Sequence, residues 1–555
     1  MRYGWLLVAG GFLLAGQVPD PAPAAAVKAE DKCTIEGSVV NAVTGEAVKK
    51  VNITLRQMGN MNNTAHSAIS DAAGHFKIED ADPGRYSMIA ARTGFVIQQY
   101  GAKGPSRPGT NLTLTAGQSM KDIVFKLTPQ GVVTGRVVDE DGDPVAQVIM
   151  QCLRYTYNRG KKQLMPFGNA NTNDLGEYRI FGLAPGRYYL SAQYQVNNFQ
   201  GGYPAASDPK KKNEEAYAPA YYPNSATVEG AAPLEVAPGA QLRGIDVALA
   251  KTRAVRVRGQ LINPSGNKRQ AMISLMPRNS GFMGMMGRNN ARVTDDKGSF
   301  ELHNVVPGSY VLVAQMFNSD KPSMAKLPIE VGTSNIDGIQ LTISPTQDLT
   351  GHVVVENNAD TGGAVFNVYL LSKNPGPFGG GGAGQIDNNG TFTLKNLMPD
   401  AYSVNVNGMR DNLYVKSIRF GDADVTESGV DFTQGVTAGE FTIVVSAAGG
   451  QIDGTVQNDK SEPAAGAMVV LIPAPEKREN DRLYKTASTD QTGKFSIKGI
   501  VPGEYKLFAW EQVDFGAYQD PDFLKPYESK GESVSIKENA HESKQIKAIA
   551  TDAHE

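Results

Sequence analysis

The sequence predicts an all-β fold built as five tandem β-sandwich modules, and three observations carry that expectation. Glycine and proline number 60 and 31 among 555 residues, which favours many turns over continuous helix. Between the turns, apolar residues alternate with a period of two rather than the helical period of about 3.6. Three landmarks recur five times at nearly constant spacing, which marks a repeat architecture.

The first landmark is Gly-x-Val/Leu, read as a strand start: Gly37 to Val39, Gly135 to Val137, Gly259 to Leu261, Gly351 to Val353 and Gly454 to Val456. The second is an Asp/Asn-x-x-Gly-x-aromatic turn, at Asp71 to Phe76, Asn173 to Tyr178, Asp295 to Phe300, Asp387 to Phe392 and Asp490 to Phe495. An Asp or Asn there caps the turn by bonding its own backbone, and Gly supplies a positive φ. The third is Pro-Gly-x-Tyr, at Pro83, Pro185, Pro307, Pro399 and Pro502, with Asp400 in place of Gly in the fourth copy. After it, Tyr86, Met88 and Ala90 share one strand face, as do their counterparts Tyr188, Tyr310, Tyr402 and Tyr505 with the residues two and four further on. That face is the inner face of a sandwich, so the five tyrosines are expected in the cores.

A chain of this length exceeds the roughly 250–300 residues at which one hydrophobic core stops growing. The modules are expected over residues 33–128, 132–250, 253–344, 348–446 and 450–550, with linkers near Gly131, Lys251, Pro345 and Gly449. The long interval after Pro185 marks an insertion in the second module. Closing strands are expected at Ile123 to Leu127, Ile245 to Leu249, Ile339 to Ile343, Phe441 to Val445 and Ile546 to Ile549.

The pattern Gly-x-Val, Gly-x-Pro-Val (Gly142 to Val145), Asp-x-x-Gly-x-Phe and Pro-Gly-x-Tyr-x-Leu-x-Ala resembles the carboxypeptidase regulatory-like domains. It is also similar to the collagen-adhesin B-type domains. The resemblance covers essentially the whole chain after its leader, best in the second and fifth modules. It implies a prealbumin-like Greek-key sandwich of about seven strands, immunoglobulin-like in architecture, and a secreted bacterial protein of accessory modules. Some carbohydrate-binding domains share that fold, so the resemblance is specific for fold and not for activity.

Export is also expected from the first residues. Arg2 gives a positive n-region, Trp5 to Ala15 an apolar h-region, and Ala24-Ala25-Ala26 a small-residue cleavage site, so residues 1–26 read as a signal peptide. The apolar run is shorter than the roughly 20 residues that span a bilayer, and no second such run follows. The mature protein is expected to lack a transmembrane span and to reside in the periplasm or the medium. With 54 Lys+Arg against 57 Asp+Glu and a net charge of -3, and with the basic run Lys210 to Lys212 followed by Glu214 and Glu215, nucleic acid is not an expected partner. Cys33 and Cys152 fall in different modules and are expected to be separate, unpaired thiols.

No catalytic residue, cofactor or metal site is expected. The zinc peptidases that give the family its name resemble one another in a His-x-x-Glu ligand pair. Here the residues three after the histidines are Ile69, Ile78, Val306, Val355 and Lys544. Gly-x-Ser-x-Gly, Gly-x-x-x-x-Gly-Lys-Ser/Thr and Cys-x-x-Cys are all missing. Asp139 to Asp143 is acidic but lacks calcium-loop spacing, and reads as a solvated hairpin turn. Met276, Met283, Met285 and Met286, and the Gly379 to Gly384 stretch, read as flexible loops. The adhesin-like domains often form an internal Lys–Asn bond assisted by a Glu four residues after the landmark tyrosine. That position holds Ala90, Ala192, Ala314, Val406 and Ala509, so packing alone is expected to hold the modules.

The second-module insertion is rich in aromatics: Phe199, Tyr203, Tyr217, Tyr221 and Tyr222, with Tyr155 and Tyr157 before it. Rigid tyrosines grip sugars or protein partners with little entropy cost, so Tyr217, Tyr221 and Tyr222 are the candidate binding residues. Adjacent Tyr221 and Tyr222 would face opposite sides of a strand, so at least one is expected to be buried. The function expected is non-catalytic: an exported binding or scaffolding protein, with carbohydrate binding among its readings. Alternatives are an accessory or structural subunit of a cell-envelope adhesion assembly and, from another class, a hydrolase without recognisable motifs. A polysaccharide or an envelope protein is the expected partner.

Overall fold

A computed structural model describes residues 31–550 except 59–64, 103, 105–106, 108, 195–198, 201–202, 205–214, 264–270, 279–288, 294, 317–322, 360–364, 374–380, 388 and 410–411. The expected signal peptide, and Met283, Met285 and Met286, lie outside the described residues. Among the described residues the regular elements are almost all strands. In the first module these are β1 (Cys33–Asn41), β2 (Asn52–Gln57), β3 (Ala65–Ile69), β4 (His75–Ala81), β5 (Gly84–Ala91), β6 (Gln98–Gln99), β7 (Leu112–Leu114) and β8 (Ser119–Leu127). One sheet has the order β4-β1-β8 and faces a second, β3-β2-β5, to which β6 and β7 add along β5. Strand β1 runs antiparallel to β4 and parallel to the closing strand β8.

That central strand, flanked by one antiparallel and one parallel neighbour, recurs in every module. In the second it is β9 (Gly131–Val138), between β12 (Glu177–Leu183) and the short strands Gln241–Leu242 and Val247–Ala248. In the last three it is Val255–Ile262, Gln347–Val355 and Gly450–Gln457. Each module closes its own apolar core between its two sheets, and the landmark tyrosines with the residues two and four beyond them are all buried there.

The first landmark glycine lies in the middle of its strand, not at the start. A Cβ on Gly37 would stand 2.2 Å from the carbonyl oxygen of Ile123. At Gly135, Gly259, Gly351 and Gly454 the same clash with the closing strand would come at 2.0, 2.4, 2.7 and 2.1 Å. The second-landmark rings of Phe76, Phe300, Phe392 and Phe495 cover the same spot, within 2.8 Å of the missing Cβ. In the second module Tyr178 instead donates its hydroxyl to Ile245 O at 2.5 Å. Glycine is required here for close approach rather than for a turn.

The Asp/Asn turns form as expected. Asp71 accepts from the amides of Ala73 and His75 at 2.9 and 2.8 Å, and Asn173 and Asp490 repeat the pattern. Their glycines have φ between 71° and 80°. Four residues after each landmark aromatic stands another residue of positive φ: Asp80, Gly182, Asn304, Asn396 and Gly499. It marks a bulge at which the register with the central strand shifts, and Asp, Asn and Gly are the residues that tolerate it. The Pro-Gly glycine is different. Gly84 and Gly186 have φ of 155° and 149°, but Gly308, Gly503 and Asp400 are not in the positive range, so a side chain is accepted there.

The landmark tyrosines do more than fill the core. Each hydroxyl donates to the carbonyl four residues earlier: Tyr86 to Asp82, Tyr188 to Ala184, Tyr402 to Met398 and Tyr505 to Val501 at 2.8 Å, and Tyr310 to Val306 at 2.9 Å. The described end of the glycine-rich stretch in the fourth module is not a loose loop. A Cβ on Gly381 would overlap Leu370 O at 1.6 Å and one on Gly384 would meet Thr393 O at 2.6 Å, so these glycines let the strand Ala383–Gln385 lie flat against its neighbours.

The segments joining the modules are bonded rather than free. Gln130 donates its amide to Gly94 O and its side chain to Phe95 O, both at 2.9 Å, while Pro129 O accepts from Gly239 N of the second module at 3.0 Å. The next joint is itself a strand, Lys251–Arg253, paired with Glu215–Tyr217. At the third, Ser344–Pro345 pairs with Ser323 and Met324, and Thr346 donates to Asn396 at 3.3 Å. At the fourth, Gly449 N donates to Asn412 O at 3.0 Å and Asn539 N to Ala448 O at 2.9 Å.

The two roles of the landmark tyrosine are separable. Tyr505→Phe should cost the fifth module about 1 kcal/mol, the net worth of one hydrogen bond, and Tyr505→Ala about 3–5 kcal/mol through the cavity. Chemical denaturation followed by Trp510 fluorescence reads both, and a Tyr505→Phe variant as stable as the parent would show that the hydroxyl bond contributes nothing.

Candidate functional site

The second module carries the aromatic insertion, and its strands place the tyrosines on two sides of one sheet. That sheet is formed by β10 (Val148–Asn158), β11 (Lys161–Asn171), β13 (Gly186–Tyr194) and the short strand Ala220–Tyr221. Ala220 belongs to the core, Tyr222 packs against it, and Tyr221, opposite Ser191, takes the outer face. The alternation expected for this pair is therefore present. Tyr217 packs partly on the core, its ring edge-on to Tyr194 at 5.2 Å, and donates its hydroxyl to Asp139 at 3.2 Å. Phe199 and Tyr203 lie in a short strand pair.

The outer face gathers further rings. Tyr155 and Tyr189 meet edge to face at 5.5 Å, and the Lys162 ammonium stands 5.4 Å above Tyr155. Burial pushes the Tyr221 phenol above its ordinary range, with the Glu229 carboxylate adding to it. Burial, Tyr189 and Glu229 do the same to Tyr155.

The acidic turn is an architectural feature. Asp139, only 7% exposed, accepts from the amides of Asp141 and Asp143 at 3.0 Å and faces the Lys251 ammonium at 3.1 Å. Lys251 also reaches Asp141 at 3.2 Å. Its charge holds the Asp139 carboxyl below the usual range, helped by the two turn amides, and the carboxylates hold Lys251 up in turn. Among the described residues no group of three or more His, Cys, Asp or Glu is arranged to hold a metal ion.

A groove of about 760 Å³ opens beside the central glycine of this module, lined by residues that include Gly135, Arg136, Glu177, Tyr178 and Asp246. Within it Arg136 bonds Glu177 at 2.7 Å, and the Arg136 backbone amide donates to Asp246 at 2.7 Å. Both cysteines are free and buried, and burial pushes the Cys152 thiol up to about 12.

Sequence reasoning missed two features. Asp400, the departure from Pro-Gly, is buried, accepts from Ser372 Oγ at 2.8 Å and faces Lys326 of the third module at 3.9 Å. The substitution itself was the readable signal. The fifth module has a second apolar layer on the outside of its sheet, where Phe508 and Trp510 stack at 5.1 Å among Met468, Val470, Tyr518 and Leu524. Its signal was the strand Met468–Pro473, apolar at every position instead of alternating.

Residues 34–128 match the carboxypeptidase regulatory-like domain family, and the four later modules repeat that module's landmarks and central-strand pairing. A search of curated proteins finds no match. Among solved structures the chain is similar to a streptococcal ancillary pilin, 11% identical over 57% of this chain and 99% of that one, with a TM-score of 0.20. It is also similar to the minor pilin GBS52 of Streptococcus agalactiae (12%, 40% and 96%, 0.22) and the major pilin BcpA of Bacillus cereus (11%, 56% and 100%, 0.15). At such scores the fold assignment rests on the strand order and registers above. No helix among the described residues is long and apolar enough to cross a membrane.

The Asp139–Lys251 pair sets a pH dependence. A carboxyl depressed in the folded state contributes stability above its unfolded pKa of about 3.9 and loses it as pH falls through the folded value. Acidification should therefore loosen the joint after the second module, and Lys251→Ala should move the Asp139 midpoint upward in a carboxyl NMR titration. An unmoved midpoint would show that the turn amides alone hold it down.

Proposed function

We propose that this chain is an exported, non-catalytic structural subunit of the cell envelope, an array of sandwiches that holds a partner at a fixed position. The observation that carries this reading is the bonding of the joints, the first, third and fourth bonded to the modules on both sides and the second a paired strand. A chain that only tethered its modules would need none of these bonds, and polar flexible linkers would serve. Among the described residues, the polar groups of the turns, the corners and the groove are engaged: Asp71 with turn amides, Tyr86 with Asp82 O, Asp139 with Lys251, and Glu177 and Asp246 with Arg136. The signal-like leader supports export.

The partner-facing surface in this reading is the outer face of the second-module sheet, with Tyr221 beside Tyr155 and Tyr189 and with Tyr217 and Tyr222 supporting it from the core side. An envelope protein fits it better than a polysaccharide, because the rings meet edge to face at 5.5 Å and present no flat stacking platform.

In intact cells, a photo-crosslinking residue at position 221 should trap an envelope protein, and Tyr221→Ala should abolish co-purification while leaving the second module's melting unchanged. The purified protein should turn over no peptide, ester or glycoside. Turnover, or retention of the full-length protein in the cytoplasm, would overturn the proposal. Retention on a polysaccharide that Tyr221→Ala removes would replace the protein partner with a glycan.

A further inference from the structure

The β10–β11 hairpin of the second module is longer than its counterparts. Each arm has eleven residues, whereas the corresponding first arms in the other modules have six. Its tip turns at Arg159 and Gly160, with φ of 49° and 68°, the left-handed pair that a two-residue hairpin turn requires. The surplus length carries this tip beyond its own core and onto the fifth module, more than three hundred residues away in sequence.

The contact is specific in three ways. Tyr157 packs against the second apolar layer of the fifth module, edge-on to Phe523 at 6.1 Å. A Cβ on Gly160 would stand 2.5 Å from Gln519 O, so only glycine lets the two backbones touch. Arg159 donates to the carbonyl of Ser372 in the fourth module at 3.0 Å and pairs with Asp481 of the fifth at 3.6 Å. Burial raises the Asp481 carboxyl, and Arg159 opposes that shift. Ser372 is also the residue whose hydroxyl bonds Asp400, so the tip joins a polar chain that runs on to Lys326 of the third module.

The receiving surface is built by the segment between the strands Gly503–Trp510 and Glu532–Ile536, which folds as short helical turns at Ala517–Gln519 and Pro521–Leu524 over Phe508 and Trp510. The same segment meets the first module, where Arg107 pairs with Asp514, and nearby Gln491 donates to Thr113 O at 3.5 Å.

We propose that the second-module hairpin is an intramolecular ligand of the fifth module's outer face, a clasp that folds the array back on itself and holds the first and second modules against the fifth. This inference does not depend on export or on an external partner. Its requirements are local: an aromatic ring entering an apolar layer, a glycine where backbones meet, and a guanidinium that bonds a carbonyl and a carboxylate.

The test uses the full chain with Arg107→Cys and Asp514→Cys, treated with a short bismaleimide; Cys33 and Cys152 are buried and should not compete. A high yield of intramolecular crosslink is expected. Gly160→Val, a branched side chain at positive φ facing Gln519 O, should cut that yield several-fold and lower the sedimentation coefficient, with the second module still folded. Arg159→Glu, which sets a carboxylate against Asp481 without altering the glycine, should act likewise, as should Phe523→Ala from the receiving side. The clasp is refuted if the parent pair fails to crosslink, if the crosslink forms only between molecules, or if none of the three substitutions changes yield and sedimentation.

Discussion

The closeness of three strands at the mid-strand glycine is the constraint on which each module depends. At Gly37 and its four equivalents the closing strand's carbonyl occupies the space a Cβ would need, and in four modules an aromatic ring lies over the same point. This contact ties the first strand of the module to its last, so it fixes the parallel pairing that completes the Greek key. Side chains elsewhere in the cores vary among Val, Ile, Leu, Met and Ala because volume and patterning suffice there. The glycine cannot vary in the same way, because the obstruction is backbone.

Around that contact, each module satisfies its irregular backbone locally. The Asp or Asn side chain accepts the turn amides, a residue tolerant of positive φ makes the bulge, and the tyrosine hydroxyl takes a carbonyl that the corner leaves without a strand partner. These requirements are local along the chain and recur in five copies, which is why the fold is legible in the sequence alone. Comparison among the copies separates the constrained positions from the free ones. The bulge column of Asp80, Gly182, Asn304, Asn396 and Gly499 is readable in the same way but less conspicuous, since three residue types share it.

What the sequence did not show is how the modules meet. The joint bonds from Gly239 to Pro129 O and from Asn539 to Ala448 O recur at equivalent positions, but the side-chain contacts between modules follow no repeat. Lys326 with Asp400, Asn480 with Glu427 at 2.6 Å, and Lys416 with Glu538 at 3.6 Å each join residues of different modules, and their spacing follows no period. Asp400 left a trace only because it interrupts a repeated glycine, and Met468–Pro473 only because it fails to alternate. The candidate tyrosines were legible as a cluster but not in their orientation. Tyr217 and Tyr222 turn toward the core, while Tyr221 joins Tyr155 and Tyr189 on the outer face.

The functional account depends on whether the joints are part of the modules or slack between them. Hydrogen exchange at the joint amides of Gln130, Gly239, Gly449 and Asn539 tests this most directly, because each bonds a joint segment to a module and exchange reports local opening. The account predicts protection at these four amides comparable to that of the central strands. Exchange at the rate of an unstructured peptide, with the central strands still protected, would contradict it and leave the chain a string of independent modules.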